Sequence, residues 1–426
     1  MDKKGQMITI FFSFFLIIMI ITLISIESSN LSTNKNVNSL VQSFTIPKIQ
    51  YYSYLNILSH ANSITLSNQT ISTLNSTLNN IYNSYFNNLN VSTNLLNTTN
   101  FFIQLPSKPS HILSYVPVTF SNLQNTPTLS PFQQMVNASY AVYGNYSNSE
   151  LSNVEFFYFN GTVIPSWLES YNANGAMWWI KIGSIPASSS ITVYMGFAPK
   201  TTNLLNTVND GEAPQLSSTY GEYDDGASVF NAYSNFAGTT LPSTFTSYVG
   251  SNAALSVSNG LHLTVNNDGC TDTWAGVVYN NPINSANSIV ETYSSGIRGP
   301  GPEDVGIYTA NSDTTGGYAG VADTWGWGYG TISGGYGNIG NPFDISSGTG
   351  IASIYWIGQG NEGIGWNYDF VSSTDGSETW SSSLYPSIQT GQCSPGANME
   401  YYWFRVRAYP PNGVMPKVLF SSTIAT

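Results

Sequence analysis

The sequence predicts a mainly β protein: an N-terminal transmembrane helix and a stalk, then a small β-sandwich and a larger jelly-roll sandwich. Three observations predict this class. An uncharged apolar run lies near the N-terminus, and short β-like runs separated by Asn, Gly, Pro and Ser turns recur after residue 106. In addition, only 8% of the 426 residues are charged. That share is far below the roughly 25% of ordinary soluble proteins, so the composition is not typical of a cytoplasmic chain.

Residues 1–30 are predicted to be a signal and membrane anchor. Met7–Ile26 is a stretch of twenty residues without a charge, which is long enough for one membrane span. Lys3 and Lys4 precede it, so the positive-inside rule places the bulk of the chain outside the cell. A cleaved secretory signal has a shorter apolar core and a small-x-small exit, so we interpret the run as a retained, single-pass anchor.

The residues at the start of this anchor also match a processing signal. Lys3-Lys4-Gly5-Gln6, followed directly by the apolar run, resembles the cleavage site of archaeal type IV prepilins. The resemblance implies cleavage after Gly5, with Gln6 as the mature N-terminus, and an N-terminal helix that packs into a surface filament. A plain signal anchor that begins with two lysines explains the same residues, so incorporation into a filament stays an alternative.

Residues 31–112 are predicted to form a stalk that is partly helical. Apolar residues at heptad spacing between Ile71 and Tyr85 indicate a helix, although the Asn, Ser and Thr between them are weak helix formers. Glycosylation sequons cluster in this region and just after it, at Asn68, Asn75, Asn90, Asn97, Asn137, Asn145 and Asn160. They indicate either a glycan-coated exported protein or chance matches in an Asn- and Ser-rich tract.

Residues 113–205 are predicted to be the small β-sandwich, because "YVPVTF", "VEFFYF", "WWIKI" and "ITVYMGF" alternate with turn formers. The stretches "PVTFSNLQNTPTLSPFQQMV", "SNVEFFYFNGTVIPSWLESYNA" and "MWWIKIGSIPASSSITVYMGF" resemble family 2341 of the domains of unknown function, found on archaeal and bacterial surface proteins. Since that family has no established activity, the resemblance implies location and architecture only. Residues 206–227, rich in turn formers, are predicted to be a connector.

Residues 228–426 are predicted to be the jelly roll, because strand-like runs with glycine turns recur about every ten residues without helical periodicity. The order "FAGTTLP", "SVSNGLHLTV" and "YYWFRVRAYPPNGVMPKVLF" resembles the concanavalin A-like lectin/glucanase modules that often follow the preceding domain. The resemblance implies a sandwich of the lectin or the glucanase kind.

Catalytic residues are not predicted. An enzyme of the glucanase branch is expected to carry Glu-x-Asp-x-Glu on one strand, with alternate carboxylates facing one cleft. Glu222-Tyr-Asp224-Asp225 lacks the second glutamate, and His60, His111 and His262 are scattered along the chain. We therefore expect a protein that is not an enzyme, and glycoside hydrolysis ranks third among the functional hypotheses.

The run "TWGWGYG" is the candidate carbohydrate site. In a strand, Trp325, Trp327 and Tyr329 share one face, and the glycines leave the other face open to close approach. Sugar rings stack on exposed aromatic rings, while Asp323 and Asn338 can hydrogen-bond to hydroxyls. The alternative is that these rings fill the core of the sandwich, since tryptophan is mostly buried.

The sequence contains two further candidate sites, a calcium site and a disulfide. Asp268 and Asp272 share the loop "NNDGCTD", which makes calcium the one candidate cofactor, although the same residues also indicate a plain hairpin turn. Cys270 and Cys393 are predicted to form a disulfide in an oxidising compartment, and two buried thiols are the alternative.

Charge excludes one class of partner. With a net charge of −12 and no basic stripe, the chain is not expected to bind nucleic acid. The predicted function is carbohydrate binding or adhesion by a membrane-anchored or pilus-associated extracellular protein. Its expected partners are the membrane and either glycans or other surface or pilin subunits. The alternative is a purely structural envelope or filament subunit whose few carboxylates lose little charge pairing in acid.

Overall fold

The computed structural model describes residues 106–266, 274–284, 287–297, 303–308, 318–322, 328–331, 349–358, 361–373, 383–391 and 396–421. The larger of its two compact units comprises residues 108–113 and 118–419. The predicted anchor, the prepilin-like site at Gly5 and Gln6, and the predicted stalk helix lie outside the described residues. In the part that is described, no helix is long and apolar enough to cross a bilayer.

The described chain is mainly β, as predicted, and its helices are single turns. The helices are α1 (Tyr140–Tyr143), α2 (Gly226–Val229) and a 3-10 turn (Pro411–Gly413). The first strands are β1 (Ser114–Asn122), β2 (Phe132–Ser139), β3 (Val154–Phe157), β4 (Val163–Ile164), β5 (Ser166–Tyr171), β6 (Gly175–Ile182), β7 (Ser189–Phe197) and β8 (Asp210–Glu212). The next are β9 (Ala232–Ser234), β10 (Phe245–Val249), β11 (Ala253–Val257), β12 (Leu261–Val265), β13 (Trp274–Tyr279), β14 (Ile283–Asn284), β15 (Ser288–Ile297) and β16 (Glu303–Tyr308). The last are β17 (Tyr318–Ala322), β18 (Gly328–Thr331), β19 (Gly350–Gly358), β20 (Asn361–Trp366), β21 (Asp369–Ser373), β22 (Ser383–Gly391), β23 (Ala397–Ala408) and β24 (Lys417–Phe420).

Two sheets form a first sandwich. One has the strand order β24-β1-β7-β3-β4 and the other β2-β6-β5-β8. Phe156 of β3 packs edge-on against Trp178 of β6, with ring centroids 5.8 Å apart. Because side chains alternate along a strand, Trp178 and Ile180 point into this core while Trp179 lies on the opposite face. The run "WWIKI" therefore places buried apolar side chains on both faces of its sheet.

Two larger sheets form a second sandwich. One has the order β10-β13-β22-β16-β17-β18, with β14 beside β22, and the other β11-β12-β23-β15-β19-β20-β21, with β9 beside β23. Their shared core includes Phe245 of β10, Leu263 of β12 and Phe404 of β23. In β12, with the sequence "LHLTV", buried apolar residues alternate with more exposed ones, because successive side chains of a strand point to opposite faces and only one face is buried.

Strand β23 changes its inward parity midway. Tyr293 of β15 pairs with Trp403 and Ser294 pairs with Tyr401, so Tyr402 has no partner on β15 and forms a β-bulge. Before the bulge, Met399 and Tyr401 face the core of the second sandwich, and after it the even-numbered residues do so. Trp403 and the two odd-numbered arginines that follow are thereby turned to the outer face of their sheet.

A second hydrophobic cluster lies on that outer face. It joins Trp403 of β23 and Ile351 of β19 to Trp167 of β5 and Trp179 of β6, with Phe230 between them. The four-stranded sheet of the first sandwich thus packs against the eight-stranded sheet of the second. The candidate site is built from this contact.

Candidate functional site

The residues of the predicted carbohydrate stripe are only partly described. Tyr329 lies in β18, where its backbone pairs with Gly320 of β17. Asp323, Trp325, Trp327 and Asn338 lie outside the described residues, so the choice between a sugar platform and a core stripe stays a prediction.

The residues of the predicted metal, disulfide and glycosylation sites are only partly described, so these sites stay predictions. Asp268, Asp272, Cys270 and Cys393 lie outside the described residues, as do the sequons at Asn68, Asn75, Asn90 and Asn97. The other three sequon asparagines, Asn137, Asn145 and Asn160, are exposed. Within the described ranges, no group of three or more His, Cys, Asp or Glu side chains is placed to hold a metal ion.

The contact between the sandwiches contains a buried ion network centred on Arg405. Its Nε donates to Glu291 Oε2 of the neighbouring strand at 2.6 Å. Its Nη1 donates to Glu169 Oε2 of the first sandwich at 2.7 Å. Arg405 and Glu291 are fully buried and Glu169 nearly so. Arg405 therefore links carboxylates from both sandwiches away from water.

Arg407 completes the network on the same face of β23. Its Nε and Nη2 form a bidentate pair with the Glu291 carboxylate, at 2.9 and 2.7 Å. Burial acts to raise the pKa of Glu291, but the charges and hydrogen bonds of Arg405 and Arg407 outweigh it and lower the pKa to about 2. Glu291 is therefore ionised at neutral pH.

Several aromatic rings surround the Arg405 guanidinium, and one ring lies against that of Arg407. The guanidinium carbon of Arg405 lies 4.4 Å from the ring centroid of Trp403 and 4.8 Å from those of Trp179 and Phe230. That of Arg407 lies 4.7 Å from the ring of Trp179. Cation–π attraction is strongest when the cation has lost its water, as it has at these positions. Arginine suits this setting because its planar group is weakly hydrated.

Tyr368 enters the network from a tight hairpin. Trp366 pairs with Asp369, so Asn367 and Tyr368 form a two-residue turn between β20 and β21, with φ values of 50° and 72°. This geometry suits asparagine, but a bulky tyrosine adopts it at a cost. The Tyr368 hydroxyl donates to Glu169 Oε1 at 2.6 Å and accepts from Arg405 Nη2 at 2.8 Å. These bonds hold the strained residue in place.

A pocket of about 240 Å³ opens beside this network. Both sandwiches contribute to its wall, which consists of Met135, Trp179, Ile289, Tyr368, Phe370, Arg407, Tyr409, Pro410, Gly413 and Met415. Gly413 has a φ of 75°, and a Cβ atom there would lie 2.6 Å from the Tyr409 hydroxyl. Glycine at this position therefore lets the Tyr409 side chain sit close to the backbone at the rim.

Arg407, which lines this pocket, has one unused donor. Its Nη1 atom is buried and has no hydrogen-bond partner among the described residues. A buried donor without a partner costs about 1–3 kcal/mol, so such an atom calls for an explanation. The other polar groups of the wall differ, since the Trp179 Nε1–H donates to Glu169 at 2.8 Å and the Tyr368 hydroxyl is also engaged.

A separate acidic cluster lies in the first sandwich. Glu155 Oε1 lies within hydrogen-bond distance of His111 Nε2, at 3.0 Å, and accepts from it when Nε2 carries the proton. Burial raises the pKa of Asp210, and repulsion from Glu155 raises it further, to about 8. Burial and the charges of Asp224 and Asp210 raise the pKa of Asp225 well above its ordinary value, and neither of its carboxylate oxygens has a hydrogen-bond partner in the described chain.

Asp224 shows how a neighbouring carboxyl group can be satisfied instead. It accepts from Trp167 Nε1 at 2.8 Å, and from the Tyr233 hydroxyl and Asn235 Nδ2 at 2.7 Å each. It also accepts from the Gly226 backbone N–H at 3.0 Å. Burial raises the pKa of Asp224 as well, so the adjacent carboxyl groups of "EYDDG" differ in their hydrogen bonding and not in the direction of their pKa shifts. Neither residue lines the pocket.

The pocket residues were missed by sequence reasoning, although a signal exists. Two of the chain's three arginines stand at alternate positions of the apolar run "YYWFRVRAY". Glu291 and Glu169 likewise interrupt the apolar strands "SIVETY" and "SWLESY". In a chain with only 8% charged residues, charges inside strands indicate a buried ion network, since buried charges are paired.

Comparison with known families identifies one domain. Residues 150–247 match the family described as Domain of unknown function (DUF2341), so the resemblance predicted for the first sandwich is confirmed. The matched residues start after β2 and extend through the predicted connector, which contains β8.

A curated relative is Uncharacterized protein 562 of Sulfolobus islandicus rod-shaped virus 1. It is 30% identical over 346 residues, which are 70% of this chain and 57% of that protein. The chain therefore spans little more than half the length of this relative.

Similar solved structures include two carbohydrate-related proteins. The carbohydrate-binding module CBM66 of Bacillus subtilis has a TM-score of 0.28 at 11% identity, over 39% of this chain and 96% of that chain. The β-glucanase of Bacillus licheniformis has a TM-score of 0.30 at 9% identity, over 41% of this chain and 97% of that chain. Likeness at this level does not transfer an activity.

Proposed function

We propose that the pocket beside Arg407 binds carbohydrate and that the protein serves in glycan binding or adhesion. One observation carries this proposal: a pocket of about 240 Å³ is lined by aromatic side chains, among them Tyr368 and Phe370, and by Arg407, whose buried Nη1 has no hydrogen-bond partner among the described residues. Sugar rings offer apolar C–H faces that pack on aromatic rings, and their oxygens accept hydrogen bonds.

The carboxylates near the pocket favour binding over hydrolysis. Glycoside hydrolysis needs two carboxyl groups across the scissile bond, one of which donates a proton. Glu291 is held ionised by Arg405 and Arg407, and Glu169 is held by Arg405 and Tyr368. Both groups are committed to structural pairs, which supports a protein that is not an enzyme.

The proposed location is the cell surface. In this proposal, Met7–Ile26 anchors the chain in the membrane, or, after cleavage at Gly5, in a filament, and the two sandwiches lie outside the cell. The second sandwich is proposed to be a concanavalin A-like jelly roll. The exposure of Asn137, Asn145 and Asn160 supports an exported glycoprotein.

A glycan array probed with the full-length chain tests the proposal. The variant Phe370→Ala removes a ring from the pocket wall and is expected to weaken binding about threefold to tenfold. The matched control is Phe159→Ala, because Phe159 and Phe370 are both 40% exposed and Phe159 lies away from the pocket wall. The control is expected to bind as the unaltered chain does.

Other outcomes assign the function elsewhere. If Trp325→Ala and Trp327→Ala abolish binding while Phe370→Ala does not, the predicted stripe is the sugar site and the pocket is not. If no glycan binds with or without calcium, carbohydrate binding is wrong and the structural alternative takes its place. Turnover of a polysaccharide would contradict the proposal that the protein is not an enzyme.

A further inference from the structure

We infer that the pocket is selective for a neutral sugar residue over an acidic one. This inference rests on the proposed function and names the class of ligand for the same site. It follows from the charge balance around Arg407, from the single donor that is left unused, and from the size of the pocket.

The charges beside the pocket already cancel. Arg405 and Arg407 carry two positive charges, and Glu169 and Glu291 carry two negative ones within hydrogen-bond distance of them. Burial raises the pKa of the Tyr368 phenol, so this group is neutral. A carboxylate entering the pocket would therefore leave a net negative charge in a region of low dielectric, which is unfavourable.

The remaining donor suits a neutral acceptor. The Nε and Nη2 atoms of Arg407 donate to Glu291, and of its three side-chain nitrogens only Nη1 has no hydrogen-bond partner among the described residues. A hydroxyl or ring oxygen can accept from Nη1 without adding charge. A carboxylate at the same place would be the second one on a guanidinium that is already paired with Glu291. Arg405 holds two carboxylates in this way, but there Arg407 supplies a second cation. Among the described residues, the pocket wall contains no cation besides Arg407 to balance a ligand carboxylate, so that charge would be unfavourable.

The pocket wall limits the size of the ligand and the way it enters. Its volume of about 240 Å³ is below the range of about 300–1,000 Å³ that is usual for drug-sized ligands, so it fits a single terminal sugar ring. Nη1 is sealed from solvent, so a ligand reaches it only when a neighbouring side chain moves. Met135 and Met415 line the same pocket, and their unbranched thioether side chains change rotamer readily.

Calorimetry on the full-length chain tests the inference. The probes are methyl glucoside, methyl galactoside and methyl mannoside, each compared with the matching methyl uronide, which differs by one carboxylate. The best neutral sugar is expected to bind at least about tenfold more tightly than its uronide. Phe370→Ala is expected to weaken the neutral sugar, with Phe159→Ala as the control, which places the measured binding in this pocket.

A charge variant is expected to reduce or abolish the preference for the neutral sugar. Glu291→Gln removes the negative charge that neutralises Arg407, so the uronide is expected to gain at least about tenfold relative to the neutral sugar. If this variant does not fold, the comparison of sugars on the unaltered chain still decides. Equal or tighter binding of uronides to the unaltered chain overturns this inference and leaves carbohydrate binding intact. Failure of every sugar to bind overturns the proposed function and this inference with it.

Discussion

Arg405 and Glu291 face each other across the ladder between β23 and β15, with Nε 2.6 Å from Oε2 and both side chains completely buried. The same arginine reaches Glu169 of the first sandwich, 236 positions away in the chain. One side chain therefore pairs with a carboxylate inside its own sheet and with another in a different sandwich. The contact between the sandwiches therefore contains a buried charge that is paired from both sides.

Arg405→Met is expected to destabilise the fold by about 3–5 kcal/mol, because Glu169 then keeps a buried charge without its cation. Adding Glu169→Gln is expected to recover part of that loss, since it removes the orphaned charge. Urea denaturation of the two single variants and the double variant measures the coupling. Glu150→Gln, at an exposed position, is the control and is expected to change little. Strictly additive losses in the double variant would contradict the proposed coupling.

Stability is expected to fall as the pH rises from about 5 to about 8, the reverse of ordinary acid denaturation. The folded-state pKa of Asp210 is raised to about 8 and that of Asp225 is also raised. A carboxyl group with a raised pKa stabilises the fold fully below its unfolded pKa, and this contribution is lost as the pH rises through the folded pKa. The slope is about 1.4 kcal/mol per pH unit for each proton released. Glu291 acts oppositely, and its contribution is lost only as the pH falls from about 4.5 towards 2.

Thermal unfolding at a series of pH values checks this dependence. Asp210→Asn and Asp225→Asn each remove one titrating group, so each is expected to flatten the decline above pH 5. Asp369→Asn, at an exposed position, is the control and keeps the decline. A stability that instead increases steadily up to pH 8 would show that these buried carboxyl groups are ionised throughout.

The cysteines flank strand ends that lie side by side. Trp274 of β13 pairs with Gly391 of β22, and Val265 of β12 pairs with Ala397 of β23. In the sequence, Cys270 comes after β12 and before β13, and Cys393 comes after β22 and before β23. We therefore expect a Cys270–Cys393 disulfide, worth about 4–5 kcal/mol for so long a loop.

Peptide mapping by mass spectrometry without reductant detects the bond directly. A chain produced in an oxidising compartment is expected to give one linked peptide pair, and Cys270→Ser is expected to unfold at lower urea concentration. Recovery of both cysteines as free thiols from such a preparation would support the alternative of two buried thiols.

Much of the fold could be predicted from local sequence. Strands such as β12 and β13 follow from runs of alternating or continuous apolar residues between turn formers. The short strand β8 could not be predicted, because "DGE" has no strand-like pattern and forms only through its parallel pairing with β5. Tertiary pairing, and not local propensity, creates that element.

The candidate site was harder to predict, for a physical reason. Alternation predicts that one face of β23 is buried, but the bulge at Tyr402 buries both faces in succession. Simple alternation has no way to place Arg405 and Arg407 on a buried face, because residues on the opposite face of the same strand are buried too. Glu169, the partner of Arg405, comes from a distant part of the chain, and no spacing rule connects residues so far apart.

The bulge at Tyr402 also determines which mutations the fold tolerates: a substitution at this position differs in its effect from a deletion. Replacing Tyr402 alters one side chain, whereas deleting it would rotate every later residue of β23 by half a turn. Arg405 and Arg407 would then point into the core that contains Phe245 and Leu263. Phe404 and Val406 would instead face Glu169. The fold therefore constrains the number of residues between Tyr401 and Trp403 more strictly than the identity of the residue at position 402.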